Sequence, residues 1–548
     1  MREKRRTLKH KLLCIGIALW LAMASGCLPP DEEYTNNMDT SDYTGQVEIP
    51  SEEKEAVILM TALKKDASGP LNPSGESEKA FYRLLFLNIT EPDKNQNVNP
   101  SVALKWNLDE DLMTWRFVIA QDIYFHDGTL LTPSDVLFTL ETVKSLGPDS
   151  PYYGAVRNIK SMEIEGNTLV IRLNTEDSLL PWRMNLPVIS HKANEDDKYK
   201  WIGTGPFEFV SEDETGITLK KKDKEKLFFK LEFVTSEKDL RNILKPGNNS
   251  ISTVPADEGA LYEKRVDLFS NTYTGSEFIF ISFNCSAQYM NRTNFRKALS
   301  CFLDTAGIVE SVYGDNVVRA FYAIHPDSFL LGDSRKNGTE FDIEAGRELL
   351  KQENIPLYGG IYQRVQQITT VDAEGNTIVT YRYTPLRLRI LVNGYDRQKL
   401  AVAEEIKKQL EACGIQTAIN SPSADRVKDL IKRREYDILV SSIDLSYVPD
   451  PEIIGMLYKE GEENRLSNVC SLPSGSPLKA ICEKTYKASN LSETVEGLKE
   501  VKNFVLNEVP YIGLGFKKVS CVYSRTINGN FGKDVFVFFR DVEGLDCK

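Results

Sequence analysis

The chain has 548 residues, 41% of them apolar, and a formal net charge of −12 from 67 Lys and Arg against 79 Asp and Glu. That length is too great for one hydrophobic core, so two or more compact lobes are expected. The acidic balance argues against nucleic-acid binding, which needs clustered Lys and Arg to neutralise phosphates.

The first 26 residues read as a signal peptide rather than as part of the fold. Arg2, Lys4, Arg5, Arg6, Lys9 and Lys11 form a basic head, and Leu12 to Ala24 is an apolar run of 13 residues, too short to span a bilayer. The run leads into Ala24-Ser25-Gly26-Cys27, small residues before a cysteine, which resembles a bacterial lipoprotein cleavage site with Cys27 as the lipidated residue. An ordinary secretory signal is the alternative and also exports the chain. Removing residues 1–26, with six basic residues and one acid, moves the formal charge from −12 to −17. Residues 27–55 are acidic and polar without apolar period, and cannot bury enough surface to offset their ordering entropy; they read as a flexible tether.

Nine cysteines include Cys14, within the signal, and Cys27. The other seven, Cys285, Cys301, Cys413, Cys470, Cys482, Cys521 and Cys547, contain no CxxC pair, which argues against zinc. Export permits disulfides, but the odd number leaves at least one thiol free; seven reduced core residues are the other reading.

Ala56 to Leu63 is the first expected core strand, followed by the loop Leu71-Asn72-Pro73-Ser74-Gly75-Glu76-Ser77 and a helix carrying Phe81, Leu84 and Leu85. In Leu112 to Val143, Trp115, Phe117 and Ile119 alternate with Arg116, Val118 and Ala120 as a strand. A turn at His126-Asp127-Gly128 leads to a helix with Thr132 as cap, Pro133 in the first position and Asp135 three residues after the cap. Val136, Leu137, Leu140 and Val143 give it one buried stripe.

Ser150-Pro151-Tyr152-Tyr153 and Gly203-Thr204-Gly205-Pro206-Phe207 come next; the second lacks the glycine spacing and Lys-Ser/Thr ending of a phosphate-binding loop. Phe278 to Gly314 reads as a strand ending in Phe283-Asn284 and a helix with Arg296, Ala298, Leu299 and Asp304, and Tyr362 to Tyr383 reads as a hairpin around Asp372 to Asn376. From Leu386 to Val440 the pattern is strand, helix, strand, helix, strand, an α/β lobe with a largely parallel sheet whose working loop follows Val440. A last helix over about Glu493 to Leu506 precedes Val509-Pro510-Tyr511-Ile512 and a strand from Val519 to Tyr523.

The run W-x-F-x-[IVL]-A-x-x-I-x-F-H-D-G-T-x-L-T-x-x-D-V, formed by residues 115–136, resembles the signature segment of the family 5 extracellular solute-binding proteins, the dipeptide-, oligopeptide- and nickel-binding components of ABC importers. Gly203 to Phe207 is similar to the family's G-T-G-P-[YF], and Phe278 to Gly314 to its strand ending in F-N with the helix R-x-A-L-x-x-x-x-D. The resemblance reaches from about residue 56 to 540. It implies an α/β, two-lobed periplasmic-binding-protein-like fold of the class II type with an enlarged first lobe: residues 56–275 and 511–548 in lobe 1, 276–510 in lobe 2, and crossings near Gly275 and Tyr511.

What the resemblance implies for function is a lipid-anchored receptor on the outer face of a bacterial membrane. It would act as a monomer that captures a small ligand, first of all short peptides, and delivers it to an ABC permease. A ligand-sensing surface lipoprotein acting in signalling is the alternative. No cofactor, metal site or nucleic-acid partner is expected, and no G-x-S-x-G or HExxH signature of an enzyme is present.

The ligand contacts implied are Ser74, Gly75 and Glu76 in the first loop, Tyr152, Asp444 and Tyr447, and Phe516. In peptide-binding members an aspartate three residues before a [DE]-P pair holds the peptide ammonium. Here Asp450-Pro451 supplies the pair, but Tyr447 stands three before it. Either Asp444 takes that role or the ligand brings no ammonium there.

Overall fold

The computed structural model describes residues 55–63, 69–73, 76–193, 201–330, 340–456, 468–473 and 475–548. The signal, Cys27, most of the tether, Ser74 and Gly75 lie outside the described residues.

The first expected strand is found residue for residue as Ala56–Leu63 (β1). It belongs to an eleven-stranded mixed sheet. The other long members are Phe207–Asp213 (β2), Gly216–Lys221 (β3), Leu227–Val234 (β4), Asn249–Pro255 (β5) and Leu268–Phe283 (β6). They are followed by Arg387–Val392 (β7), Gln416–Asn420 (β8), Ile438–Asp444 (β9) and Tyr511–Ser524 (β10). The order across the sheet is β8-β7-β9-β6-β10-β5-β1-β4-β3-β2, with the short strand Val317–Val318 paired to β10.

Two strands carry the chain between two apolar cores. One core gathers Phe81, Phe117, Ile171 and Phe229; the other gathers Phe278, Phe280, Leu299, Ile406 and Ile438. β6 and β10 run antiparallel from Leu268↔Ser524 to Thr274↔Lys518, lose register, and resume at Phe278↔Phe516. Gly275 stands in that break, where a Cβ would lie 2.7 Å from Val519 Cγ2 and 2.9 Å from the Lys517 carbonyl oxygen. Tyr511, expected at a crossing, instead pairs with Ser282, is buried in the second core and donates its hydroxyl to the Ile454 carbonyl at 2.8 Å. The register break lies opposite Phe516 to Lys518, so the return strand changes cores there.

The α/β lobe follows the periodicity of its sequence. Helix Arg397–Ala412 (α3) is capped by Asp396, whose carboxylate accepts from Lys399 N at 3.0 Å, and it buries Val402, Ala403, Ile406 and Leu410. Helix Ala424–Lys432 (α4) buries Val427, Leu430 and Ile431. β7 is parallel to both β8 and β9, with Ile390 opposite Ile419 on one side and Ile438 on the other. Lys432-Arg433-Arg434 closes α4, where cations suit the carboxyl end of a helix. The expected hairpin is formed by Ile361–Val371 and Thr377–Pro385, largely exposed.

The signature segment is scaffolding. Strand Thr114–Ile119 buries Trp115, Phe117 and Ile119 and leaves Arg116 and Val118 half-buried. Helix Pro133–Leu146 (α2), with Thr132 as its cap residue, begins with the Thr132 amide donating to Asp135 Oδ2 at 2.8 Å, while Asp135 Oδ1 accepts from His191 N at 2.9 Å.

His126 joins the two distant motifs. Its Nε2–H donates to the Gly205 carbonyl at 2.9 Å and its Nδ1 accepts from Gly203 N at 3.3 Å. Burial lowers its pKa and keeps the ring neutral, as that bonding requires. Thr204 Oγ1 then accepts from Leu87 N at 3.0 Å, and Gly205 N donates to the Leu85 carbonyl at 2.8 Å. A Cβ at Gly203 would stand 1.9 Å from that same Leu85 oxygen, so only glycine permits the approach. The result is a fixed carboxyl end for helix Glu76–Leu85 (α1), whose other end reaches the cavity described next.

Candidate ligand-binding site

A cavity of about 1030 Å³ lies between the two cores, at the upper end of the range of small-ligand pockets. The amino end of α1 contributes Glu76 and Lys79, and β6 contributes Tyr273, Gly275 and Ser276. The end of β9 and the loop after it contribute Asp444 to Val448, and a segment near the carboxyl end contributes Val535, Phe536 and Phe538. The Asp444–Val448 part of the lining thus comes from the carboxyl end of a parallel strand, where α/β sheets place their ligands.

Tyr152 is held at the wall by its own loop. Ser150 Oγ donates to the Leu71 carbonyl at 2.6 Å and accepts from Tyr152 N at 3.2 Å, so the S-P-Y-Y turn is pinned to the L-N-P loop. Burial raises the Tyr152 phenol above its ordinary range, the charge of Glu76 adds to this, and Arg83 opposes it. Glu76 itself is ion-paired to Lys79 at 2.7 Å.

Asp444 ends β9 opposite Glu277 and is exposed to the cavity. It accepts from Ser276 Oγ at 3.2 Å and has no ion pair among the described residues. Its carboxyl is raised above the usual range by desolvation, then by the negative charge of Glu277 and of Glu76. Glu277 is neutralised by Lys399 at 3.2 Å and Lys517 at 3.0 Å, and the charge of Lys399 also acts on Asp444, opposing the upward shift.

Tyr447 lines the cavity, but its hydroxyl is committed to the protein: it donates to the Asn97 carbonyl at 2.6 Å. Gln96 Nε2 donates back to the Tyr447 carbonyl at 3.1 Å, and Trp182 Nε1 donates to the Gln96 carbonyl at 2.8 Å. Phe516, expected to touch ligand, is absent from the lining. It is fully buried in the second core, its ring 5.0 Å from Phe278 and 5.3 Å from His325. The strand that carries it turns its side chain inward, away from the cavity.

Beside Tyr447 lies a buried ionic network that sequence reading did not find. Arg183 Nε donates to Asp177 at 2.9 Å and its Nη2 to Asp450 at 2.8 Å, with the two carboxylates and the guanidinium side chains 6–11% exposed. The Tyr486 hydroxyl donates to Asp450 Oδ1 at 2.7 Å, and Asp450 caps helix Pro451–Ile454 by accepting from Glu452 N at 3.0 Å. Burial works against the charged form of Asp450, yet Arg183 and the hydrogen bonds hold its carboxyl below the usual range. Asp450 is therefore a structural turn residue that joins the Pro451 helix to the Leu180–Arg183 helix.

Sequence reading also missed Val535, Phe536 and Phe538, because an apolar run near the chain end looks like any core strand. Among the described residues no group of three or more His, Cys, Asp or Glu could hold a metal ion, and no helix is long and apolar enough to cross a membrane. None of the seven cysteines from Cys285 onward is joined in a disulfide among the described residues, and six of them are buried.

Two cores joined by paired strands, with a ligand-sized cavity at their junction, define a two-lobed solute-binding fold. Residues 97–465 match the profile of the bacterial extracellular solute-binding proteins, family 5 Middle. The chain belongs to that family. Among curated relatives, Di/tripeptide-binding protein 1 of Pseudomonas aeruginosa is 24% identical over 323 residues, covering 52% of this chain and 60% of that one. Oligopeptide-binding protein AppA of Bacillus subtilis is 22% identical over 475 residues, covering 82% of this chain and 83% of that one. The chain thus spans less than two thirds of the first relative's length and most of the second's. Among solved structures, a putative peptide binding protein AppA from Clostridium difficile superposes with a TM-score of 0.68 at 17% identity, covering 90% of this chain and all of that one. The superposition establishes the fold.

Proposed function

We propose that this protein is the receptor of an ABC importer for short peptides, anchored outside the cell by lipid on Cys27 and acting as a monomer. The relatives named for peptide binding support the ligand class. The observation that carries the reading is Asp444, a carboxylate facing a cavity of peptide size with a hydroxyl partner and no ion pair among the described residues. A peptide ammonium placed there supplies the missing charge. The loop around Tyr447 departs from the family's pattern, and Asp444 occupies the cavity wall three residues earlier in the chain.

In this reading the lobes comprise residues 56–275 with the carboxyl-terminal strands, and residues 276 to about 516. Closure rotates one lobe on the other about the register break of β6 and β10, and the ligand contributes its differential affinity for the closed state. Glu76 from one side and Asp444 from the other flank the ammonium. Tyr152 adds area with a polar tip.

Isothermal titration of short peptides into wild-type and Asp444→Asn protein tests this. Removing one member of a desolvated charge pair costs about 2 kcal/mol or more, roughly a thirtyfold loss of affinity. An amino-acetylated peptide should lose a similar factor against wild type and nothing further against the variant. Equal affinity of both proteins for a free-amine peptide would refute the assignment.

A further inference from the structure

The cavity wall is uneven in a way that bears on which peptides it accepts. Three of its cations are already neutralised within the protein: Lys79 by Glu76 at 2.7 Å, Arg83 by Glu91, and Arg183 by Asp177 at 2.9 Å and Asp450 at 2.8 Å. Much of the remaining surface is aromatic. Tyr152, Tyr153, Tyr273, Phe536 and Phe538 all line the cavity and are partly exposed.

The segment 532–540 that presents two of those rings is built to be rigid. Gly532, at φ +60°, donates its N–H to the Phe538 carbonyl at 2.8 Å. Asp534, 5% exposed, accepts from Val537 N at 2.9 Å and from Arg540 Nε at 2.7 Å. These bonds close a tight loop on itself and fix Val535, Phe536 and Phe538 along one side of the cavity. The Phe536 ring stands edge-on to His325 at 4.9 Å and to Tyr447 at 6.1 Å, whereas Phe538 packs on Phe539 at 4.9 Å and on Phe531. Phe536 therefore leans on the second core and Phe538 on the first.

We propose that the Val535–Phe538 segment is the specificity wall of the site, and that it selects peptides with aromatic or large aliphatic side chains over those with acidic ones. This rests on the peptide reading above. Rings supply contact area without a fixed charge, and a preformed loop gives that area at little ordering cost. An acidic ligand side chain would meet three cations already satisfied by protein carboxylates, with little from them to offset its desolvation.

The test uses the purified full-length chain, freed of cargo by reversible unfolding, and three probes: Ala-Phe-Ala, Ala-Ser-Ala and Ala-Glu-Ala. Titration calorimetry should rank them Phe, Ser, Glu, with Phe about ten- to a hundredfold tighter than Ser, as expected for burying one aromatic side chain. Phe538→Ala should shrink the Phe-to-Ser ratio at least fivefold, and Val535→Ser should shrink it less. If Phe538→Ala fails to fold, the wild-type ranking and the Val535→Ser ratio decide alone. Equal wild-type affinities for the three probes, or a preference for Glu, would overturn the specificity wall while leaving peptide binding intact. Binding of none of them would overturn the peptide reading and this inference with it.

Discussion

Neutralising Asp450 while keeping its shape isolates what the buried network contributes. In Asp450→Asn, Arg183 keeps Asp177 but loses its second carboxylate, at a site where Asp450 is 6% and Arg183 10% exposed. Breaking a buried pair by removing one charge costs about 3–5 kcal/mol, and because one partner remains the low end, about 3 kcal/mol, is expected. Asn can still cap the Pro451 helix and accept from Tyr486; Ala can do neither, so Asp450→Ala should lose roughly 1–2 kcal/mol more.

The pH dependence has a definite sign. The folded carboxyl is depressed, so its stabilisation is complete above the unfolded pKa of about 3.9 and is lost as pH falls through the folded value. Urea unfolding followed by circular dichroism should thus show a constant gap between wild type and Asp450→Asn from pH 7 to 5, narrowing below pH 4. A gap under about 1 kcal/mol at pH 7, or one unchanged at pH 3, would refute the claim that the Arg183 pair is a buried, charged tie.

Gly203→Ala forces a methyl against the Leu85 carbonyl, 1.9 Å away, and backbone on both sides has no flexible end to yield. A loss of about 3 kcal/mol or failure to fold is expected, readable as a lower midpoint in thermal or urea unfolding; a change under 1 kcal/mol would contradict the fixed end of α1. Tyr447→Phe removes the bond to the Asn97 carbonyl and keeps the ring, so stability should fall by about 1 kcal/mol while peptide affinity changes less than about threefold. Affinity falling without any stability loss would place the phenol on the ligand instead.

Sequence periodicity conveyed most of the scaffold, for identifiable reasons. β1 and the alternation of β7, β8 and β9 were legible because each strand is either continuously apolar or strictly alternating, and α3 because Val402, Ile406 and Leu410 share one face and Gly414 closes it, whereas its Asp396 cap was not read. β10 read as five residues, Val519 to Tyr523, yet runs for 14. Gly513, Gly515 and the Lys517-Lys518 pair interrupt its apolar pattern, and they do so where the strand changes from one core to the other.

The site was only partly legible. Glu76, Tyr152, Asp444 and Tyr447 do line the cavity, whereas Phe516 faces the wrong side of its strand, a matter of pleat that a motif does not encode. Asp177, Arg183 and Asp450 lie up to 273 positions apart, and local patterns carry no sign of such a pairing. Val535 to Phe538 escaped notice for a different reason: hydrophobicity marks a wall and a core alike, and only packing tells them apart.

The seam strand β10 has a consequence for how the molecule comes into being. Its partner β5 lies some 270 positions earlier, with Ile251 meeting Tyr523, and β6 on its other flank begins at Leu268. Among the described residues, the half-sheet β5-β1-β4-β3-β2 is hydrogen-bonded to β6 within the sheet only through β10. The keystone is thus made last, and contacts so distant in sequence form slowly. The two halves of the sheet therefore cannot be joined edge to edge before β10 has been made.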